Sequence, residues 1–280
     1  MKLALVLTAL AFGAGGAPPS PAVPHFGRVV VVVFENKERS QVLGNPAAPA
    51  FNAFARRGAV LSGYRGVTHP SLPNYLALVS GSTQGIHSDC SFCIVAARSL
   101  ADTLPRAHRT WKAYAEGLPE PGYTGASFGR YAKKHVPFLY FQDVTTSPSR
   151  RRRVVPLRQL SRDLAANRLP SFSLVVPDLC HDMHDCSVAT GDVWLTGFLK
   201  PLLRSKKLAN SAIFVVFDET DGSTASGLIP ALALGPAVVP GSRYRGSISH
   251  YGLLRTIEDA WGLPRLGRSR AAAPITGIWR

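Results

Sequence analysis

The sequence predicts an α/β fold, a three-layer α/β/α sandwich with a mostly parallel central sheet. Three observations carry that prediction. Arg28 to Phe34, with five consecutive valines, is too short for a membrane span and too β-branched for a helix, so it reads as a strand buried on both faces. Phe172 to Pro177 and Ala212 to Phe217 have the same character. Segments of helical periodicity lie between such runs, and strand alternating with helix is the signature of parallel crossover units.

The elements follow in order. Met1-Lys2, an apolar stretch from Leu3 to Gly13, and small residues through Ala17 before Pro18-Pro19 read as a secretory signal peptide cut near Ala17. The expected organisation is therefore a signal peptide over 1–17 and one domain over 18–280, without internal repeats. After the first strand, Asn45-Pro46 leads into a helix from Ala50 to Arg57, with Phe51, Phe54 and Ala55 on one face and Gly58 as its stop. A strand from Ala59 to Ser62 then feeds the segment Thr68 to Gly81. There Ser71 stands where an N-cap would stand, Pro73 suits a first turn, and Leu76, Leu78 and Val79 supply a buried face. Thr110 to Glu116 is a further strand. Residues 118–153, rich in Pro, Gly, Tyr and Lys, are an excursion over the edge at which the strands end. Ser187 to Leu203 reads as a helix, Ala231 to Leu234 as a strand, and Tyr251 to Trp261 as the closing amphipathic helix.

Composition bounds the partners. The 280 residues are 46% hydrophobic, enough for one large domain with a full core. Lys and Arg number 32 against 17 Asp and Glu, a net charge of +15 that removal of the leader changes by Lys2 alone. Such a surface draws anions: phosphate esters, nucleic acid, cell-wall polymers or anionic lipid. No nucleic-acid motif or basic-aromatic interleaving is present, and Arg150 to Arg153 reads as a solvated loop. The four cysteines agree with export. They form two close pairs, Cys90 with Cys93 and Cys180 with Cys186, and an oxidising compartment favours disulfides. Local pairing is preferred, while the sequence leaves the other two connectivities open. A Cys180 to Cys186 bridge would clamp a loop that carries Asp182 and His184.

The chemistry lies at the strand ends. The first strand stops at Glu35-Asn36, another at Asp218-Glu219, and a third opens into Asp178-Leu179-Cys180-His181-Asp182-Met183-His184-Asp185-Cys186. Open parallel sheets place ligands at this edge. Clustered carboxylates repel one another unless a cation neutralises them. The Ser71 hydroxyl, at a helix start, faces backbone N–H groups and the positive end of the helix dipole, which suit a phosphate under attack.

Glu35-Asn36, HPSLPNYLALVSGS, PDLCHDMHDCS, FDE and His250 within SHYGLLRTIEDAWGL occur in the order of a known family. The chain resembles the bacterial phosphoesterases that include acid phosphatases and phospholipases C, within the alkaline phosphatase superfamily. The resemblance covers nearly the whole mature chain. It implies that Ser71 is the nucleophile and that Glu35, Asn36, Asp218 and Glu219 lead the ligands of a divalent metal ion, one of Mg, Ca, Mn, Fe or Zn. Asp178, Asp182, His184 and His250 would then serve a second metal or the phosphate and leaving-group side. Glu219 stands where two-zinc relatives carry a His, and Asp182 where another His is expected, which speaks against two-zinc chemistry.

The implied activity is hydrolysis of phosphate monoesters through a phosphoserine, with His69, His184 or His250 as proton donor to the leaving alcohol. The alternatives are a phosphodiesterase or phospholipase C on the same site and, in a different class, a non-catalytic basic protein binding cell-wall anions. Tyr75 occupies the place of the Arg in a sulfatase Cys/Ser-x-Pro-x-Arg segment, which sets that activity aside. His69 reads as either a turn residue or a phosphate-side donor, His135 as a surface histidine, His87 and His181 as loop residues, and Tyr114 as core.

Overall fold

The computed structural model describes residues 23–280. The expected signal peptide lies outside the described residues. Ten strands follow in chain order: β1 Arg28–Phe34, β2 Ala59–Arg65, β3 Trp111–Ala115, β4 Ser127–Phe128, β5 Tyr131–Ala132, β6 Val154–Pro156, β7 Phe172–Val176, β8 Ser211–Phe217, β9 Ala231–Leu234 and β10 Arg243–Ser249. Eight of them form one sheet in the order β10-β2-β9-β8-β1-β7-β3-β6, and β4 pairs with β5 as a separate hairpin. Every pairing in the large sheet is parallel except those of β9, which runs against both β2 and β8.

The valine run takes the centre. β1 pairs with β8 along its whole length, Arg28 opposite Ser211 through Phe34 opposite Phe217, and with β7 on its other side. Val29 to Phe34 are all buried, as are all residues of β7 and β8. Helices form the outer layers. Pro49–Arg57 packs on Val188–Arg204, and Ser71–Ser80 packs on His250–Trp261. Phe34, Phe51, Phe217 and Trp194 interlock beneath the first pair with ring centroids 5.3–5.9 Å apart.

Boundaries shift only at ends. β2 runs on to Arg65, and the closing helix begins at His250. Ser71 is the first helical residue, and Pro70 takes the N-cap position expected of the serine. The serine side chain is therefore turned to other partners. Both disulfides join local pairs, Cys90 to Cys93 and Cys180 to Cys186. No helix among the described residues is long and apolar enough to cross a membrane.

Candidate active site

Three neighbouring strands deliver the site. At the end of β1 the Glu35 N–H donates to the Asp182 carbonyl (2.9 Å), and the Asp218 N–H, just past β8, donates to the Phe34 carbonyl (3.0 Å). Asn36 turns the chain with a φ of +47°, a left-handed conformation that Asn tolerates. Its N–H donates to Asp218 Oδ1 (3.1 Å), which also accepts from the Glu219 N–H (2.7 Å). Asp182 hangs from the loop after β7, closed by the Cys180–Cys186 bridge, and its Oδ1 accepts from the His184 N–H (2.8 Å).

The fourth contribution is the Ser71–Ser80 helix, buried at every position. Its approach is fixed by Asn74, whose Oδ1 accepts from Val67 and Thr68 N–H (2.7 and 3.1 Å) and whose Nδ2 donates to the Thr68 carbonyl (2.7 Å). Asp89 Oδ1 accepts from the Leu72 N–H at 2.9 Å, so one of the helix N-terminal donors expected to face phosphate is already engaged. The Ser71 hydroxyl lies 3.0 Å from Glu35 Oε2 and 3.3 Å from Glu219 Oε1. One turn further, Tyr75 OH donates to Glu35 Oε1 at 2.5 Å.

His135 is not the surface histidine that the sequence suggests. It is 1% exposed, with Nε2 3.3 Å from Glu35 Oε1 and Nδ1 3.4 Å from Asp182 Oδ2. Its ring stacks on Tyr75, centroids 5.2 Å apart and planes 11° from parallel. Lys133 and Lys134 beside it signal solvent, but Val136, Phe138, Leu139, Tyr140 and Phe141 are all buried and draw the segment inward. That apolar run was the available clue. Burial holds the imidazole pKa down to about 3, so it is neutral and a competent donor of electron pairs.

The remaining expected residues divide. His69 is at the mouth, 61% exposed, with Nδ1 2.6 Å from Glu219 Oε2. His184 bonds Asp185 (2.6 Å), and its ring centroid is 6.1 Å from that of His135. His250 is buried with both ring nitrogens used: Nε2 donates to the Asp218 carbonyl (2.6 Å), leaving Nδ1 to accept from Tyr64 OH (3.1 Å). It therefore steadies the Asp218 backbone. Burial lowers its pKa to about 4. Asp178 belongs to a separate group with Glu116 and His181: its Oδ1 accepts from the Cys180 and His181 N–H groups (3.0 Å each), and His181 Nδ1 meets Glu116 Oε2 at 2.9 Å. His181, expected as a plain loop residue, is thus part of a polar cluster, and His87 remains an exposed loop residue.

The electrostatics favour a cation. Burial first, then the Asp218 and Asp182 charges, raise the Glu35 pKa well above its ordinary value, and burial raises those of Asp182 and Glu219 as well. Asp182 Oδ2, Asp218 Oδ2 and His135 Nε2 are buried with no hydrogen-bond partner. Glu35, His135 and Asp182 offer ligand atoms within 4.8 Å of one another. Hard oxygens with one imidazole fit Mg, Ca, Mn or Fe and admit Zn.

Comparison with known proteins identifies the family and the fold. The Phosphoesterase family model matches residues 33–264. The chain is 39% identical over 280 residues to the phosphatidylinositol-3-phosphatase of Mycobacterium tuberculosis, covering 98% of this chain and 91% of that protein. It is 32% identical to an acid phosphatase of Aspergillus fumigatus over 80% of this chain, and spans about half (53%) of that longer protein. A solved alkaline phosphatase superfamily protein from Vibrio parahaemolyticus superposes with a TM-score of 0.62 at 14% identity, over 90% of this chain and 72% of that one. At that identity the superposition speaks to the fold alone, which is that of the superfamily.

Proposed function

The chain belongs to the phosphoesterase family and is a hydrolase of phosphoric esters, and from that premise we propose that it is an exported, metal-dependent phosphomonoesterase working through a phosphoserine. The observation that carries the reading is the Ser71 hydroxyl between two buried carboxylates at the end of a parallel sheet. The relatives named phosphatidylinositol-3-phosphatase and acid phosphatase support a monoester over a diester. Two disulfides and the leader-like N-terminus support export.

Ser71 Oγ attacks phosphorus in line as its proton passes to Glu219 Oε1, 3.3 Å away. The bond to the leaving alcohol breaks, and that alcohol takes a proton from His69, whose side chain is 61% exposed and whose Nδ1 is oriented by Glu219 Oε2 at 2.6 Å. His69, now neutral, accepts a proton from the water that attacks the phosphoserine, phosphate leaves, and the expelled Ser71 oxygen takes back its proton from Glu219 Oε1. Asn36 and the positive end of the Ser71–Ser80 helix offset charge on the equatorial oxygens. Glu35, Asn36, Asp182, Asp218, Glu219 and His135 are the residues that would hold a divalent cation. The chemistry such a cation supplies when bound is Lewis acidity, which lowers the serine pKa and neutralises phosphate charge. A dianionic monoester uses these contacts more fully than a diester does.

The test is Ser71→Ala together with acid-quenched turnover of a phosphate-labelled monoester. The variant should lose roughly three orders of magnitude or more in kcat with its fold retained, and wild-type protein should yield label on the Ser71 peptide. Activity of the variant within a few-fold of wild type would overturn the assignment. A diester specificity constant far above that of any monoester would move the enzyme to the phosphodiesterase branch.

A further inference from the structure

Five large hydrophobic side chains are exposed among the described residues, and four of them lie at the end of the molecule that carries the catalytic cluster. Phe92 (79% exposed) sits inside the loop closed by the Cys90–Cys93 bridge after the Ser71–Ser80 helix, Ile94 (56%) directly follows that bridge, Phe128 is on the β4–β5 hairpin, and Val193 lies in the second turn of the helix after β7. The fifth, Val239, follows the antiparallel β9 and so lies toward the opposite end. A single exposed apolar side chain is ordinary. Phe92 and Ile94 differ in being held out by a built frame.

The Cys90–Cys93 bridge closes the loop. At its entry Asp89 binds the Leu72 N–H next to the nucleophile (2.9 Å) and the Lys134 ammonium (2.9 Å). At its exit the Val95 N–H donates to the Tyr140 carbonyl (2.8 Å) and the Val95 carbonyl accepts from Gln142 (2.9 Å). Beneath it Lys133, only 4% exposed, donates to the Ser91 carbonyl (2.8 Å), with its ammonium 4.7 Å from the Tyr140 ring centre and 5.7 Å from that of Phe92. A lysine is thus withdrawn from water to prop a loop whose apolar tip stays in it. Arg98 and Arg130, near the loop in sequence or through the Lys133 segment, are exposed and make no ion pair among the described residues, on a chain of net charge +15.

We propose that this loop is a membrane prong: Phe92 and Ile94 enter the interfacial layer of an anionic bilayer and hold the catalytic mouth against a phosphate monoester borne on a lipid headgroup. The apolar tip supplies insertion, and the cationic surroundings match the negative surface. The anchor from Asp89 to Leu72 fixes the spacing between bilayer and nucleophile. This deepens the phosphomonoesterase reading and rests on it.

The experiment uses the mature protein with vesicles of phosphatidylcholine, alone or containing phosphatidylglycerol, and compares wild type with the Phe92→Ser/Ile94→Ser double variant. Sedimentation should find wild type on anionic vesicles, with binding weakened by salt, and the variant bound about tenfold or more less tightly. Hydrolysis of a soluble aryl phosphate should be equal in the two proteins, whereas hydrolysis of a phosphatidylinositol monophosphate in anionic vesicles should fall in the variant. Equal vesicle binding by both proteins, absent wild-type binding, or an equal loss on the soluble ester would each overturn the proposal. Wild-type failure on every soluble monoester would instead overturn the phosphomonoesterase reading, and vesicle binding would still report on the prong.

Discussion

Removing one oxygen at Tyr75 tests how the buried carboxylate is held. Tyr75→Phe keeps the ring stacked on His135, 5.2 Å between centroids, and deletes only the donor 2.5 Å from Glu35 Oε1. A hydrogen bond to a charged group contributes about 1.5–3 kcal/mol. At roughly 1.4 kcal/mol per decade, full expression in the transition state lowers kcat/KM by about 10-fold to 150-fold. Partners that orient metal ligands usually act in the range of about 10–100-fold, so two independent arguments meet. The assay is steady-state hydrolysis of a soluble aryl phosphate with saturating divalent metal, alongside thermal unfolding. The loss should fall on kcat, with KM within about twofold and the unfolding midpoint within a few degrees of wild type. A specificity constant within about twofold of wild type would refute the idea that this contact orients Glu35 for chemistry.

Three more outcomes are expected. Asp218→Ala should lose both bound metal and activity, because Asp218 Oδ2 is a buried oxygen with no protein partner; full metal occupancy by elemental analysis would refute the ligand set. Glu258 is fully buried, and burial raises its pKa to about 7 from 4.5 despite hydrogen bonds from Leu266 N–H and Ser269 OH. Between those values the folded state retains a proton that the unfolded state has released, so stability falls as pH rises, by about 3 kcal/mol in all. Glu258→Gln should flatten that slope in denaturant titrations at about pH 5 and about pH 8, and parallel slopes would count against it. Asp192 caps the Pro49–Arg57 helix from another helix, accepting from Phe51 and Ala50 N–H at 2.8 and 3.0 Å, where Ala48 has no side chain to do so. Asp192→Ala should cost about 2–4 kcal/mol in calorimetry or denaturant unfolding, and a loss under about 0.5 kcal/mol would contradict the cap.

The central strands β1, β7 and β8 were legible because they are buried on both faces and must be continuous apolar runs, whereas the edge strand β10, mostly exposed from Arg243 to Ser249, carries no such pattern and is not legible as a strand. Glu35, Asp218 and Glu219 stand out for a related reason, since a carboxylate ending an apolar strand has few structural uses, and the structure brings them together with Asp182 from the loop after β7. Ligand geometry was harder to read. His250 and Asp178 stand in the same motifs as the cluster, yet both ring nitrogens of His250 are taken by a backbone carbonyl and a tyrosine, and Asp178, with Oδ1 held by a tight loop turn, groups with Glu116 and His181 instead. Sequence order carries no information on which atoms are already engaged. His135 was missed because two adjacent lysines imply a solvated face, whereas Lys133 is itself buried against Ser91 and Tyr140.

The position of β1 has a consequence in time. It is clasped between β8 and β7, and the Ser71 hydroxyl meets partners 36 and 148 residues away in sequence. No local segment carries a partial version of this centre, and closing such long loops is rewarded only once the middle strands zip together. A nascent chain that has not reached Glu219 lacks part of the centre, however well its earlier segments fold. The centre is therefore a property of the paired middle strands β1, β7 and β8 and of no single segment.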